Sequence, residues 1–164
     1  MLLLDHTKIY RKIKRLAIQI LEQNYTEPEI ILAGINNNGS EFASLLYNEL
    51  KSISDKTVTL TRISLNPADP LSKDIKTELP IEYYQDKVVV IIDDVANTGR
   101  TILYAIKPML EVLPKKIEVA VLVDRKHKSF PVKVDYVGLE LATTLQEDID
   151  VQLKDKDNFV VNLN

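Results

Sequence analysis

The chain has 164 residues, 45% of them hydrophobic and 27% charged, with a formal net charge of −3 and no cysteine. That length fits one domain, 1–164, with a real core; the missing cysteines exclude a disulfide framework or thiolate metal site, and the acidic balance argues against a general nucleic-acid binder. MLLLDHTKIY at the start has too short an apolar run for a secretory signal, and no window approaches the ~18 apolar residues of a membrane span, so a cytoplasmic protein with no membrane partner is expected.

In chain order, Asp5 to Asn24 reads as a helix capped by Asp5 or Thr7, with Ile9, Ile13, Leu16, Ala17, Ile20 and Leu21 at helical spacing. EIILAGI (29–35) is a short apolar strand, NNNG (36–39) a turn, and SEFASLLYNEL (40–50) a helix with Ser40 as its cap. TVTLTRI (57–63) alternates like a half-buried strand. Ser64 to Pro80 holds three prolines and no periodicity, which predicts a long functional or flexible excursion from the domain. KVVVIID (87–93) is continuously apolar, as in a parallel strand buried on both faces. RTILYAIKPMLEVL (100–113) reads as a helix, KIEVAVLVD (116–124) as a strand, and VDYVGLEL (134–141) as a strand or strand-loop. Strands alternating with helices predict an α/β fold, a mostly parallel sheet with helices on both faces. Ligands in such sheets sit at the carboxyl ends of strands, where GINNNG, DDVANTGRT and LVDRKHK fall.

The most informative stretch is VVVIIDDVANTGRT, Val88 to Thr101. Five apolar residues lead into Asp93 and Asp94, then a small polar turn, then a helix start near Gly99. A strand–turn–helix of this kind directs free backbone N–H groups at one point, which suits a phosphate. Thr98 and Thr101 add hydroxyls, and Gly99 permits close backbone approach. The neighbouring carboxylates can accept hydrogen bonds from sugar hydroxyls or help hold Mg²⁺ through water. Carboxylates for hydroxyls beside amides for phosphate describe a ribose 5-phosphate site. Acids that merely end a strand and cap a helix are the plainer reading of the same residues. A G-x-x-x-x-G-K-[ST] phosphate loop is absent.

The string resembles the signature of type I phosphoribosyltransferases. LVDRKHKSFPVKVDYVG (122–138), IYRKIKRLAIQILEQN (9–24), ILAGINNNG (31–39) and VTLTRISL (58–65) further resemble, in order, segments of the PyrR-like branch, pyrimidine operon regulators that are also uracil phosphoribosyltransferases. The resemblance implies the type I fold with a small hood, a homodimer or higher homo-oligomer, and transfer from 5-phosphoribosyl-1-pyrophosphate (PRPP) to a base, uracil favoured, with Mg²⁺. It places Asp93 and Asp94 on the ribose hydroxyls and on Mg²⁺-bound water. Ala96, Asn97, Thr98, Gly99, Arg100 and Thr101 form the 5-phosphate turn. Asn36, Asn37, Asn38 and Gly39 form the pyrophosphate loop, Arg62 is a lid donor, and Tyr136, Val137 and Gly138 contact the base from the hood.

The chain departs from the pattern in two places. The loop arginine usual in the PyrR-like branch is replaced by asparagines. Asn97 stands where purine enzymes carry an aspartate, and an amide exchanges no proton at neutral pH, which argues against a hypoxanthine or guanine enzyme. The alternative is a catalytically weak PRPP- or nucleotide-sensing regulator. RNA would need local basic faces. Lys8, Arg11, Lys12 and Arg15 form one helical stripe; Arg125, Lys126, His127, Lys128 and Lys133 form a second cluster, with Arg125 also in reach of a pyrophosphate. Charge runs are usually solvated faces, so RNA is not favoured.

Overall fold

The computed structural model describes residues 1–142 and 146–164. A six-stranded sheet runs β4-β3-β2-β5-β6-β7, where β2 is Glu29–Ile35, β3 Thr57–Ser64, β4 Lys76–Thr77, β5 Val88–Ala96, β6 Lys116–Arg125 and β7 Tyr136–Leu141. All neighbouring pairs are parallel except β3 with β4. The central strands β2 and β5 are buried almost throughout, which explains their unbroken apolar runs.

Helices α1 (His6–Gln23) and α2 (Asn36–Ile53) cover one face. Ile9, Ile13, Leu16, Phe42 and Leu46 pack there with Ile30, Leu32, Val90 and Ile92. α3 (Arg100–Ile106) and the 3-10 turn that continues it, Lys107–Glu111, cover the other face, where Ile102, Ala105 and Met109 meet Ile31, Val89 and Ile91. Alternate residues of each strand thus feed two cores. Asp5 caps α1 as expected, accepting the Lys8 N–H at 2.9 Å. The helix expected over 100–113 stops being α-helical at Lys107 because Pro108 supplies no N–H to the ladder. No helix among the described residues is long and apolar enough to cross a membrane.

Three elements differ from expectation. The NNNG segment is the first turn of α2, not a turn before it, so Ser40 is inside the helix and not its cap. Asn36 opens the helix in the left-handed region at φ 51°, which asparagine tolerates. The excursion 64–80 is partly structured, with β4 laid antiparallel on β3. The hood is a separate three-stranded sheet in the order β1-β9-β8, made of Leu2–Leu4, Val160–Leu163 and Ile149–Gln152. It joins the two ends of the chain and is not built on Tyr136–Gly138.

Candidate functional site

At the carboxyl end of β5 the chain places two carboxylates in contact. The Asp94 N–H donates to Asp93 Oδ1 at 2.9 Å, and the Val95 N–H donates to Asp94 Oδ1 at 2.9 Å. Burial, then the Asp94 charge and a hydrogen bond between the two side chains, push the Asp93 carboxyl well above the usual carboxylate range. A pair held this way attracts a cation or a group rich in hydroxyl donors. No group of three or more His, Cys, Asp or Glu suited to a metal occurs among the described residues. The pair therefore fits a cation that brings most of its own ligands, as Mg²⁺ does with waters and substrate phosphates.

Next to the pair, Ala96 to Thr101 wrap a recess of about 40 Å³, roughly three times the ~10–15 Å³ one water needs. Gly99 sits at φ 87°, where a side chain would be strained, and this turns the amides into the start of α3. The Thr98 carbonyl accepts the N–H groups of Ser129 and Phe130 at 3.0 and 3.2 Å, and Thr98 Oγ1 accepts the Arg100 N–H at 3.4 Å. The Asn97 side-chain oxygen accepts from the Arg125 guanidinium at 3.2 Å, and Arg125 is only 8% exposed. The turn is thus fixed from behind by β6 and the segment after it.

Across from this recess lies a cleft of about 440 Å³ lined by Ile35, Asn36, Asn37, Asn38, Pro67, Asp93, Asp94, Val95, Asn97, Thr101 and Ile149. Asn38 Nδ2 donates to Asp94 Oδ2 at 3.2 Å, joining the α2 turn to the acid pair. Gly39 makes that approach feasible: a Cβ there would lie 2.6 Å from the Ile92 carbonyl oxygen and 3.3 Å from the Asp93 Cα. Among the described residues, no Lys or Arg lines this cleft. A hollow of about 720 Å³, lined by Ser64, Leu65, Asn66, Lys73, Asp74 and Lys76, adjoins it through Asn36. A third, of about 600 Å³, lies between the excursion and Lys107, Pro108 and Glu111, without the acid pair.

The structure brings Asp93, Asp94, Asn36 to Gly39 and Ala96 to Thr101 together, and leaves other expected residues outside. Arg62 is a strand residue in register with Gly34, and the Arg62 carbonyl accepts the Glu78 N–H; it is held in the sheet instead of on a lid and does not line the cleft. Tyr136, Val137 and Gly138 belong to the edge strand β7. Tyr136 is buried, with its hydroxyl donating to Glu118 at 2.9 Å, and burial followed by that carboxylate raises its phenol far above the ordinary range. The carbonyls of Val137 and Gly138 accept from Arg15 and Lys12 of α1. None of the three lines the cleft, and the hood residue that does is Ile149. Ile149 and Pro67 carry no motif, so only the fold could reveal them.

The basic clusters are largely engaged internally. Lys128 pairs with Asp124 at 2.5 Å, Lys126 with Glu140 at 3.5 Å and Lys133 with Asp135 at 3.6 Å. Burial first, then Arg15 and Lys8, lower the Lys12 ammonium below the ordinary lysine range.

Residues 2–155 match the family model of the phosphoribosyl transferase domain. The bifunctional protein PyrR of Pelotomaculum thermopropionicum is 34% identical over 94% of this chain and 90% of its own length. That of Haemophilus ducreyi is 36% identical over 95% and 91%. Among solved structures, a hypoxanthine-guanine phosphoribosyltransferase from Bacillus anthracis superposes with a TM-score of 0.70 at 23% identity, covering 85% of this chain and 81% of its own. A hypoxanthine phosphoribosyltransferase from Staphylococcus aureus gives 0.72 at 19%, covering 86% and 77%. At such identities the superpositions speak to the fold alone: a mostly parallel sheet covered by helices, with a hood.

Proposed function

The chain belongs to the phosphoribosyl transferase family, and from that premise we propose that it transfers the phosphoribosyl group of PRPP to a pyrimidine base, uracil first, releasing pyrophosphate. The observation that carries this reading is the contact of the acid pair with two turns, one on each side, at the carboxyl ends of β2 and β5.

In the transfer, N1 of uracil gives its lone pair to C1 of the ribose while the bond from C1 to the pyrophosphate oxygen breaks; that oxygen keeps the pair, and the N1 proton passes to the departing pyrophosphate or to water. Asp93 and Asp94 accept from the ribose hydroxyls and orient C1. Backbone amides of Ala96 to Thr101 hold the 5-phosphate, and those of Asn37 to Gly39 face the leaving pyrophosphate. Ile149 offers an apolar surface to the base. Asp93 and Asp94 would also hold the waters of a Mg²⁺ ion, which, when bound, supplies neutralising charge to the phosphates. Positioning and electrostatics account for catalysis of this kind without a covalent step on the protein. A hood contact through Tyr136 to Gly138 is not part of this reading.

Asn97 stands where purine enzymes carry an aspartate, and its oxygen is already bonded to Arg125, which supports a pyrimidine over a purine acceptor. The test is a panel of radiolabelled bases with PRPP and Mg²⁺. Uracil is expected to give labelled nucleotide faster than hypoxanthine or guanine; a purine that turns over faster than uracil overturns the assignment.

One observation favours a second reading. The lining of the cleft, among the described residues, has no cation to neutralise pyrophosphate. A PRPP or nucleotide sensor with little turnover is consistent with that. Calorimetric binding of PRPP without product from any base identifies it. The part-buried pairing of Lys128 with Asp124 weighs against an RNA face, while Lys126 and Lys133 stay largely exposed. A nanomolar complex with the pyrimidine leader transcript at near-physiological salt would reverse that judgement.

A further inference from the structure

The transfer reaction leaves one arrangement at the cleft unexplained. Asn36 uses both ends of its side-chain amide on one residue of the excursion: its Oδ1 accepts the Leu65 N–H at 3.0 Å, and its Nδ2 donates to the Leu65 carbonyl at 2.9 Å. This is the pattern of a neighbouring strand residue. β2 and β3 pair in register up to Ile35 and Ile63, and β3 ends at Ser64. The Asn36 amide therefore supplies a further rung after the backbone of β2 has turned away into α2. The left-handed φ of 51° at Asn36 belongs to that departure, and asparagine is one of the few residues that suit both the backbone and the rung.

A second tether comes from the opposite turn. The Arg100 guanidinium, on the first residue of α3, donates to the Pro67 carbonyl at 2.7 Å. Pro67 itself lines the cleft. Leu65 and Pro67 are thus tied one to each of the turns that flank the acid pair.

We propose that Asn36 is a positioning residue: with Arg100 it holds Leu65–Pro67 as a strap between the two turns, so that engaging the PRPP phosphates and ordering the excursion 64–80 are one event. The inference builds on the proposed transfer reaction for its kinetic consequence, but not for its structural one. If the strap couples them, an anion in the turns protects the excursion, and loosening the strap weakens the anion's hold without touching the base. Asn36 does this through Leu65, not by bonding the anion with its own side chain.

The test uses the full chain and two substitutions. Asn36→Gly keeps the left-handed backbone available and removes the amide; Asn36→Asp keeps the acceptor for the Leu65 N–H and loses the donor. Hydrogen exchange is read by mass spectrometry, without ligand and with inorganic pyrophosphate or PRPP. In Asn36→Gly, exchange over 64–72 should rise roughly tenfold or more, as for the loss of two part-buried hydrogen bonds. Asn36→Asp should fall between it and the unaltered chain, and PRPP should protect the segment in the unaltered chain only. In kinetics, the KM for PRPP should rise several-fold in Asn36→Gly while the KM for the base stays within about twofold. Unchanged exchange over 64–72, or exchange raised equally across the whole chain, overturns the strap, as does a matching rise in both KM values. If the unaltered chain gives no nucleotide with any base, the transfer reading fails, and the exchange measurements still decide the strap.

Discussion

At 36–39 the chain leaves β2 for α2 through a left-handed asparagine, and at 96–101 it leaves β5 for α3 through a left-handed glycine. Both face the acid pair, yet they are anchored differently. The second turn is buttressed from behind, by Arg125 on Asn97 and by Ser129 and Phe130 on the Thr98 carbonyl. The first is held through side-chain amides, Asn36 on Leu65 and Asn38 on Asp94. A turn buttressed by backbone and a buried guanidinium is suited to hold a group that stays bound through a reaction. A turn held by side-chain amides, beside the excursion 64–80, is suited to a group that must leave. The difference matches the proposed split between 5-phosphate and pyrophosphate.

The largest expected effect removes what both turns share. Asp93→Asn with Asp94→Asn deletes the carboxylates between them while keeping size, so the fold should persist. Hydrogen bonds to charged groups are worth about 1.5–3 kcal/mol each, so PRPP affinity should fall by more than about a hundredfold by calorimetry. Unchanged affinity would move the site elsewhere.

The next effect separates the turns. Gly39→Ala puts a methyl 2.6 Å from a backbone oxygen of β5, so α2 must shift away from the acid pair. Overpacking of this kind costs about 1–3 kcal/mol. Gly99→Ala meets side-chain atoms alone, Val132 Cβ and Cγ2 at 3.3 Å and Lys128 Cδ at 3.5 Å, but carries its strain at φ 87°, a penalty of about 1–2 kcal/mol. In urea denaturation both should be destabilised, Gly39→Ala the more. Inorganic phosphate binding should suffer more in Gly99→Ala. The opposite order on both readouts would break the assignment of roles.

Much of this was legible in the residues. VVVIIDD ends a buried strand at a phosphate-sized turn because apolar continuity and a Gly-Arg-Thr helix start are local signals. α1 was readable from its stripe and cap. The hood was not: LLL, IDVQ and VVNL are three or four residues each, and the first pairs with the last across almost the whole chain, Leu2 with Asn162. Short strands closed over such distances leave no periodicity to read. Arg62 was misplaced because an arginine near a strand end looks the same whether the ladder stops before or after it. Tyr136 to Gly138 lie on the edge strand β7 outside the lining of the cleft, and their composition does not foretell that position. Nothing in NNNG distinguishes an amide facing an anion from one completing a ladder.

The smallest expected effect is in pH dependence, and it belongs to the acid pair that the two turns share. Asp93 keeps its proton in the folded chain to a higher pH than in the unfolded chain, because of burial and then the Asp94 charge. Between the ordinary carboxylate range and that raised value, the folded state binds more protons than the unfolded one. Its stability therefore falls as pH rises through that window, by at most about 1.4 kcal/mol per pH unit for one proton. Lys12 and Tyr136 are also shifted, but they titrate well above it. Asp93→Asn deletes the proton uptake and leaves those groups in place. Its thermal midpoint should vary less with pH than that of the unaltered chain, the two curves drawing apart as pH rises. PRPP with Mg²⁺ bound at the pair should expel the same proton, so the binding enthalpy should change with the ionisation enthalpy of the buffer, and should not in Asp93→Asn. Parallel pH curves for the two proteins would mean that the pair shares no proton.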